Sequence, residues 1–183
     1  MKDISYHILD IVQNSLNAGA TRIVVEMIEK TSDRCLTLRI NDNGKGMDQE
    51  QLKRVIDPFF TSSVNKKVGL GIPLLKQNAE ISGGSFNIIS EVNKGTMVEA
   101  SFNTGNIDMI PMGDIALSIR LLVASNPGLD FCYRYSKDSR CFELDTAEMR
   151  KELGDIKLNR KEVLDFISES ISSHLKNIEL ETN

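Results

Sequence analysis

Tryptophan is absent from this chain of 183 residues, and seven Phe and three Tyr are its only aromatics. Any core must therefore be mainly aliphatic. No apolar run approaches the roughly 20 residues that cross a bilayer. The start, "MKDISYHILD", lacks the uninterrupted apolar stretch of a secretory signal. A cytoplasmic location without a membrane partner is the expectation. Basic residues do not outnumber acidic ones, 22 against 26 for a net charge of −4, so nucleic acid is not the expected ligand. The three cysteines, Cys35, Cys132 and Cys141, show no CxxC or Cys/His spacing, which argues against a structural metal site. Neither GxxxxGK[ST] nor GxGxxG occurs, which excludes two common phosphate-binding loops.

What is present fits one ordinary domain, with or without an appendage. "HILDIVQNSLN" has an apolar stripe at Ile8, Leu9, Val12 and Leu16 and reads as a helix, which Ala18-Gly19-Ala20 ends. "RIVVEMIEK" (22–30) and "RCLTLRIND" (34–42) read as a hairpin. A glycine loop, "NGKGM", follows. Residues 48–57 have an Asp start and helical spacing at Leu52, Val55 and Ile56. Residues 58–71 read as a loop, and 72–82 as a helix with Gly83 after its end. "SFNIISEV" and "GTMVEASF" read as strands turning at Asn93-Lys94-Gly95.

Composition shifts near residues 104–106. Beyond lie a helix at 114–125 capped by Asp114, a hairpin of "DFCYRY" and "RCFELD" turning over 136–139, a short helix capped by Asp145, and a final helix after Asn159. Cys132 and Cys141 are symmetric about that hairpin's expected centre, so they should face each other across it as reduced thiols. The order of elements predicts an α+β fold, with helices on one face of a mixed or antiparallel sheet. The division expected is 1–105 as one domain and 106–183 as a C-terminal extension. The extension is free to complete the sheet, to make a homodimer or to recognise a partner.

Three local patterns carry chemistry. Asp10, Asn14 and Asn17 recur at i, i+4 and i+7, sharing one helical face. The oxygen of an Asn amide suits Mg²⁺, and a carboxylate one turn away can orient a water or take its proton. On spacing alone the three are equally well surface residues. Asp42 ends a strand before Gly44 and Gly46. There a fixed carboxylate can accept a hydrogen bond from an exocyclic amine, or the segment is simply a turn. Gly69-Leu70-Gly71 opens a helix whose backbone N–H groups suit an anion, with Lys66 and Lys67 just before it. His7 lies on the stripe of Asp10, and His174 lies near the end of the last helix. Packed or solvated histidines are the simpler reading of both.

Together these stretches resemble the superfamily of gyrase B subunits, ninety-kilodalton heat-shock chaperones, histidine kinases and MutL. "DIVQNSLNAGATRI" is similar to its N box, "DNGKGM" to its G1 box, and "DPFFTSS" to the F box of histidine kinases. "KVGLGIPLLKQNAEISGGSFNIISEVNKGTMVEASF" is similar to the kinase G2 region and the strands after it. The resemblance spans roughly residues 7–103. It implies a Bergerat-type two-layer α/β sandwich that binds ATP with Mg²⁺ under a lid at 61–68.

Carried over residue by residue, the resemblance puts Asn14 at the metal, Asp42 at adenine, and Thr96 beside the adenine and its Asp. It places Asn17, Gly44, Gly46, Met47, Phe60, Lys66, Lys67, Gly69, Leu70 and Gly71 around the nucleotide. Asp10 stands where hydrolytic members have a catalytic Glu. Asn17 stands where MutL has an Asp, and Lys67 where many kinases have a glycine. The N-box-like stretch begins almost at Met1, so no phosphoacceptor helix pair is expected before it, nor a self-contained histidine kinase. An ATPase-type switch, a protein kinase acting in trans on a separate protein in signal transduction, and an ATP/ADP sensor without turnover all remain open.

Overall fold

A computed structural model describes residues 3–57 and 70–180, with side chains up to residue 177. The first helix, α1 (Ile4–Asn17), starts on Asp3, whose side chain accepts the Tyr6 N–H at 2.8 Å. It buries Ile4, Ile8, Ile11 and Val12, the apolar stripe a helical period requires. Two strands follow, β1 (Arg22–Lys30) and β2 (Cys35–Asp42), then α2 (Gln49–Val55). Asp48 and Gln51 close a capping box at the start of α2. The helix ends at Val55, ahead of the expected residue 57, because Asp57 precedes a proline, which disfavours helical backbone there.

Helix α3 (Gly71–Ile81), strands β3 (Phe86–Glu91) and β4 (Gly95–Asn103), and helix α4 (Ile115–Ser125) come next. Strands β5 (Asp130–Lys137) and β6 (Arg140–Asp145) lead into α5 (Thr146–Leu153) and α6 (Lys161–Leu180). The six strands form one sheet in the order β3-β4-β2-β1-β5-β6. Only the β1–β5 pair is parallel, so the sheet is mixed and the fold α+β. The hairpin from residues beyond 106 thus extends the same sheet through β1.

Register divides the sheet into two faces. Ile23, Val25 and Met27 lie opposite Asp42, Ile40 and Leu38, and these lie opposite Thr96, Val98 and Ala100. This face is buried in one continuous core with α1, α3, α4 and α6. The other face carries a row of alternating charge, Glu99–Arg39–Glu26–Arg134–Glu143, across five strands. Arg39 bridges Glu99 at 2.6 Å and Glu26 at 3.6 Å, and Arg134 joins Glu26 at 3.2 Å and also Glu143. Each exposed pair contributes little alone. A slipped strand, however, would part these opposite charges from one another, so the row favours this register.

The β5–β6 turn is tighter than expected. Only Asp138 and Ser139 separate the strands, and Asp138 adopts φ +52°, a left-handed residue of the kind two-residue hairpins need. The register then sets Cys132 opposite Asp145 and Cys141 opposite Ser136. The expected pairing of the two cysteines is therefore wrong. Cys132 is buried, Cys141 exposed, and both thiols are free.

His7 is wholly buried between α1 and α3, with Asn78 Nδ2 2.8 Å from its Nε2. Its Nδ1 has no partner among the described residues. Burial pushes the imidazole down to about 4. The unfolded chain takes a proton near 6.5 and the folded one only near 4, so stability is full above 6.5 and falls as pH drops towards 4. The loss reaches up to about 3 kcal/mol. Urea midpoints measured across this range should fall accordingly for the wild type and much less for His7→Gln.

Candidate functional site

Asp42 ends β2 on the core-facing row, where a carboxylate would be costly without partners. It has three. Its Oδ2 accepts the Ser15 hydroxyl at 2.7 Å, and its Oδ1 accepts the Gly44 N–H at 2.8 Å and the Thr96 N–H at 3.3 Å. Helix α1, the glycine loop and β4 therefore converge on one side chain. A carboxylate has about four acceptor positions, so Oδ2 keeps capacity for a further donor. Two hydroxyls extend the set: Ser90 Oγ lies 2.8 Å from Thr96 Oγ1 and accepts the Met47 N–H at 2.8 Å.

The loop after Asp42 is fixed from several sides. Asn43 Oδ1 accepts the Thr21 and Arg22 N–H groups, each at 2.9 Å. The Lys45 N–H donates to Ala18 O at 2.9 Å, and Lys45 O accepts the Asn93 N–H at 2.7 Å. These bonds draw the loop against the β3–β4 turn so closely that side chains have no room. A Cβ on Gly46 would sit 2.0 Å from Glu91 O, and one on Gly95 1.9 Å from Asp42 O. Both glycines have positive φ as well, +63° and +108°. The two glycine positions exist for this approach of backbone to backbone.

The polar face of α1 runs towards α3. Asp10 is half-buried, and burial raises its pKa. Its carboxyl lies against the first residue of α3, such that a Cβ on Gly71 would sit 2.3 Å from Oδ2. Leu70 caps α3 without a side-chain hydrogen bond, so its own side chain leaves the helix's first N–H groups to other acceptors. Asn14 is exposed one turn beyond Asp10 on α1. No side-chain hydrogen bond engages its amide among the described residues. An uncommitted amide oxygen near a half-buried carboxyl is a donor set that fits Mg²⁺. Asn17 is exposed, and its Oδ1 accepts from Gln13 Nε2 at 3.3 Å. Met47 packs against the core, and Leu70 is exposed.

Phe60, Lys66, Lys67 and Gly69, with the expected lid at 61–68, lie outside the described residues. His7 and His174 are both packed. His174 stacks on Phe142 with ring centroids 4.7 Å apart, and burial lowers its pKa. Cys132, Glu143 and Asp145 bring potential metal-ligand atoms within 4.8 Å of one another. The carboxylates, however, are paired with Arg134 and Arg22. Burial also pushes the Cys132 thiol up to about 11, so it stays protonated.

Sequence reasoning missed Ser15 and Ser90. Ser15 had a readable signal: it continues the buried i, i+4, i+7, i+11 stripe of Ile4, Ile8 and Ile11. A hydroxyl in such a stripe needs a buried acceptor. Ser90 offered no such sign, since strand alternation alone places it.

Residues 2–106 match the family described as histidine kinase-, DNA gyrase B-, and HSP90-like ATPase. Sporulation kinase D of Bacillus subtilis is 34% identical over 91 residues, half of this chain and 18% of that protein. Sensor histidine kinase YvrG of the same organism is 29% identical over 90 residues, 47% of this chain and 15% of that protein. The chain thus spans under a fifth of the length of either relative. Among solved structures, the Aquifex aeolicus MutL ATPase domain complexed with ADP superposes with a TM-score of 0.50 at 17% identity, over 84% of this chain and 68% of that one.

Gly95→Ala should cost more than about 2 kcal/mol of folding stability, since both its φ and its clash with Asp42 oppose a side chain. Gly19, at φ +78° with nothing within 4 Å of where a Cβ would stand, is the control. Gly19→Ala should cost about 1 kcal/mol. Urea denaturation of the two variants measures the difference.

Proposed function

We propose that this chain, which belongs to the histidine kinase-, DNA gyrase B- and HSP90-like ATPase family, binds Mg-ATP and Mg-ADP at Asp42 and acts as a slow ATPase-type or phosphotransfer switch. The carrying observation is the Asp42 carboxylate, held by Ser15, Gly44 and Thr96 with acceptor capacity left on Oδ2. An adenine amino group donates a hydrogen bond, and a fixed acceptor in a largely buried setting selects for it over a carbonyl. Gly44, Gly46 and Met47 form the floor around the base, and Thr96 with Ser90 supplies hydroxyls at its edge. The ADP bound to the MutL domain of similar fold supports a nucleotide here.

Asn14 is the residue that would hold Mg²⁺, and the ion when bound offsets phosphate charge. Asn17 lies at the rim of the same face. Gly71 and Leu70 present the open N-terminus of α3 to phosphate. Phe60, Lys66, Lys67 and Gly69 are assigned to the phosphate side and lid on sequence alone. Asp10, half-buried with a raised pKa, is the base that orients or deprotonates a water. The reading includes a cytoplasmic location and a protein partner. The division at residue 105 is kept as the boundary of the nucleotide-binding part. Among the described residues no helix is long and apolar enough to cross a membrane. A kinase acting in trans on a separate protein is the second reading, favoured by the kinases among the relatives. Transfer of label from γ-labelled ATP to a second protein would select it.

Asp42→Asn should weaken Mg-ADP and Mg-ATP roughly tenfold to a hundredfold in calorimetric titration at a temperature where circular dichroism shows the variant folded. Full affinity in that variant overturns the proposal. Asp10→Asn should keep ATP affinity while losing phosphate release. Release unchanged in Asp10→Asn removes Asp10 as the base.

A further inference from the structure

Strand β6 is an edge of the sheet, paired only with β5. Natural proteins cover or blunt such an edge, because its outward N–H and C=O groups template another strand. Here the edge opens instead into a groove of about 1050 Å³ between β6, α5 and α6. Leu144, Met149, Leu153 and Val163 line it on the inside. Ile156 and Phe166 line its outer side while 45% and 61% exposed. None of the residues assigned to the nucleotide lines it.

The charges lining this groove favour one sign. Five acids and two bases line it, Lys151 and Arg160 being the bases. Glu143 and Asp145 are paired with Arg134 and Arg22. Glu148, Glu152 and Glu162 hold no ion pair among the described residues. A second copy of the chain would bring the same acids to this edge and be repelled. Pairing β6 with itself in the register that sets Phe142 opposite Leu144 also sets Glu143 opposite Glu143, a like-charge pair.

We propose that β6 and this groove dock an extended, basic segment of a protein partner. The segment adds as a seventh strand. Apolar side chains at the centre of one face of the segment fill the space between Leu144 and Phe166, and Lys or Arg side chains flanking them on that same face meet Glu148, Glu152 and Glu162. Main-chain hydrogen bonds along the edge give affinity, and the alternating pocket gives selectivity.

The probe is a fluorescein-labelled peptide of about ten residues whose groove-facing alternate positions carry valine at the centre and lysine at both ends, with threonine between them, read by anisotropy against the full chain. It should bind at least about tenfold tighter than the same peptide with Asp for Lys, and tighter than one with Pro at alternate positions, which cannot donate to the edge. Amide chemical-shift changes should centre on residues of β6, α5 and the start of α6. Phe166→Ser changes an exposed side chain and should weaken the peptide about tenfold without lowering the thermal midpoint. Glu148→Lys with Glu152→Lys should do the same for the basic peptide alone. Equal binding of the acidic peptide, binding insensitive to Phe166→Ser, shift changes elsewhere, or no binding at all overturns the proposal. So does a concentration-dependent dimer that excludes the peptide, which would make a second copy the occupant.

Discussion

One carboxylate joins the two layers of this molecule. Asp42 stands at the end of a core strand, where an unpartnered acid would be intolerable. Its acceptance of the Ser15 hydroxyl couples α1 to the sheet. Its acceptance of the Gly44 and Thr96 N–H groups draws the glycine loop and β4 to the same point. The close contact of Gly46 with Glu91 O, and of Gly95 with Asp42 O, follows from that convergence. The groups that make the acid tolerable also aim it. Three donors fill part of its acceptor capacity and leave one position over.

The sheet extends this tie in both directions. On the buried side, rows of Ile, Val and Leu continue from Asp42 through β2, β1 and β4. On the other side, the alternating Glu–Arg row crosses from β4 to β6. Through β1, the strands from beyond residue 106 share both rows with the rest. Arg22 carries a further link: its backbone N–H donates to Asn43, beside Asp42, while its guanidinium pairs with Asp145 at the start of α5. The loop that holds the acid and the edge strand with its groove are thus two ends of one bonded path.

Much of this was legible because it is local. The helix and strand spans follow from period and caps, and Asp48, Asp114 and Asp145 cap helices as their short polar side chains suggest, whereas α1 starts on Asp3, ahead of the expected residue 7. Asp42 was legible as a candidate because glycines at two and four positions later make a strand end unusual. Ser90 and the docking groove were not legible. Ser90 takes the Met47 N–H from 43 positions away, and the groove needs β6, α5 and α6 packed together. The cysteines of the β5–β6 hairpin illustrate the limit. Symmetry about an assumed turn centre put them face to face, and the turn at Asp138-Ser139 lies two positions later than that symmetry requires.

The sequence by itself determined the elements, their apolar faces and the identity of the family, since these are encoded in residues close to one another along the chain. Only the tertiary structure decided what each polar group meets. Ser15 reaches Asp42 across 27 positions, Arg22 reaches Asp145 across 123, and β5 joins β1 in parallel. Such contacts are selected by the packing of the whole core, because a buried polar group takes whichever partner the fold brings within about 3 Å, and no periodicity along the chain specifies which one that is.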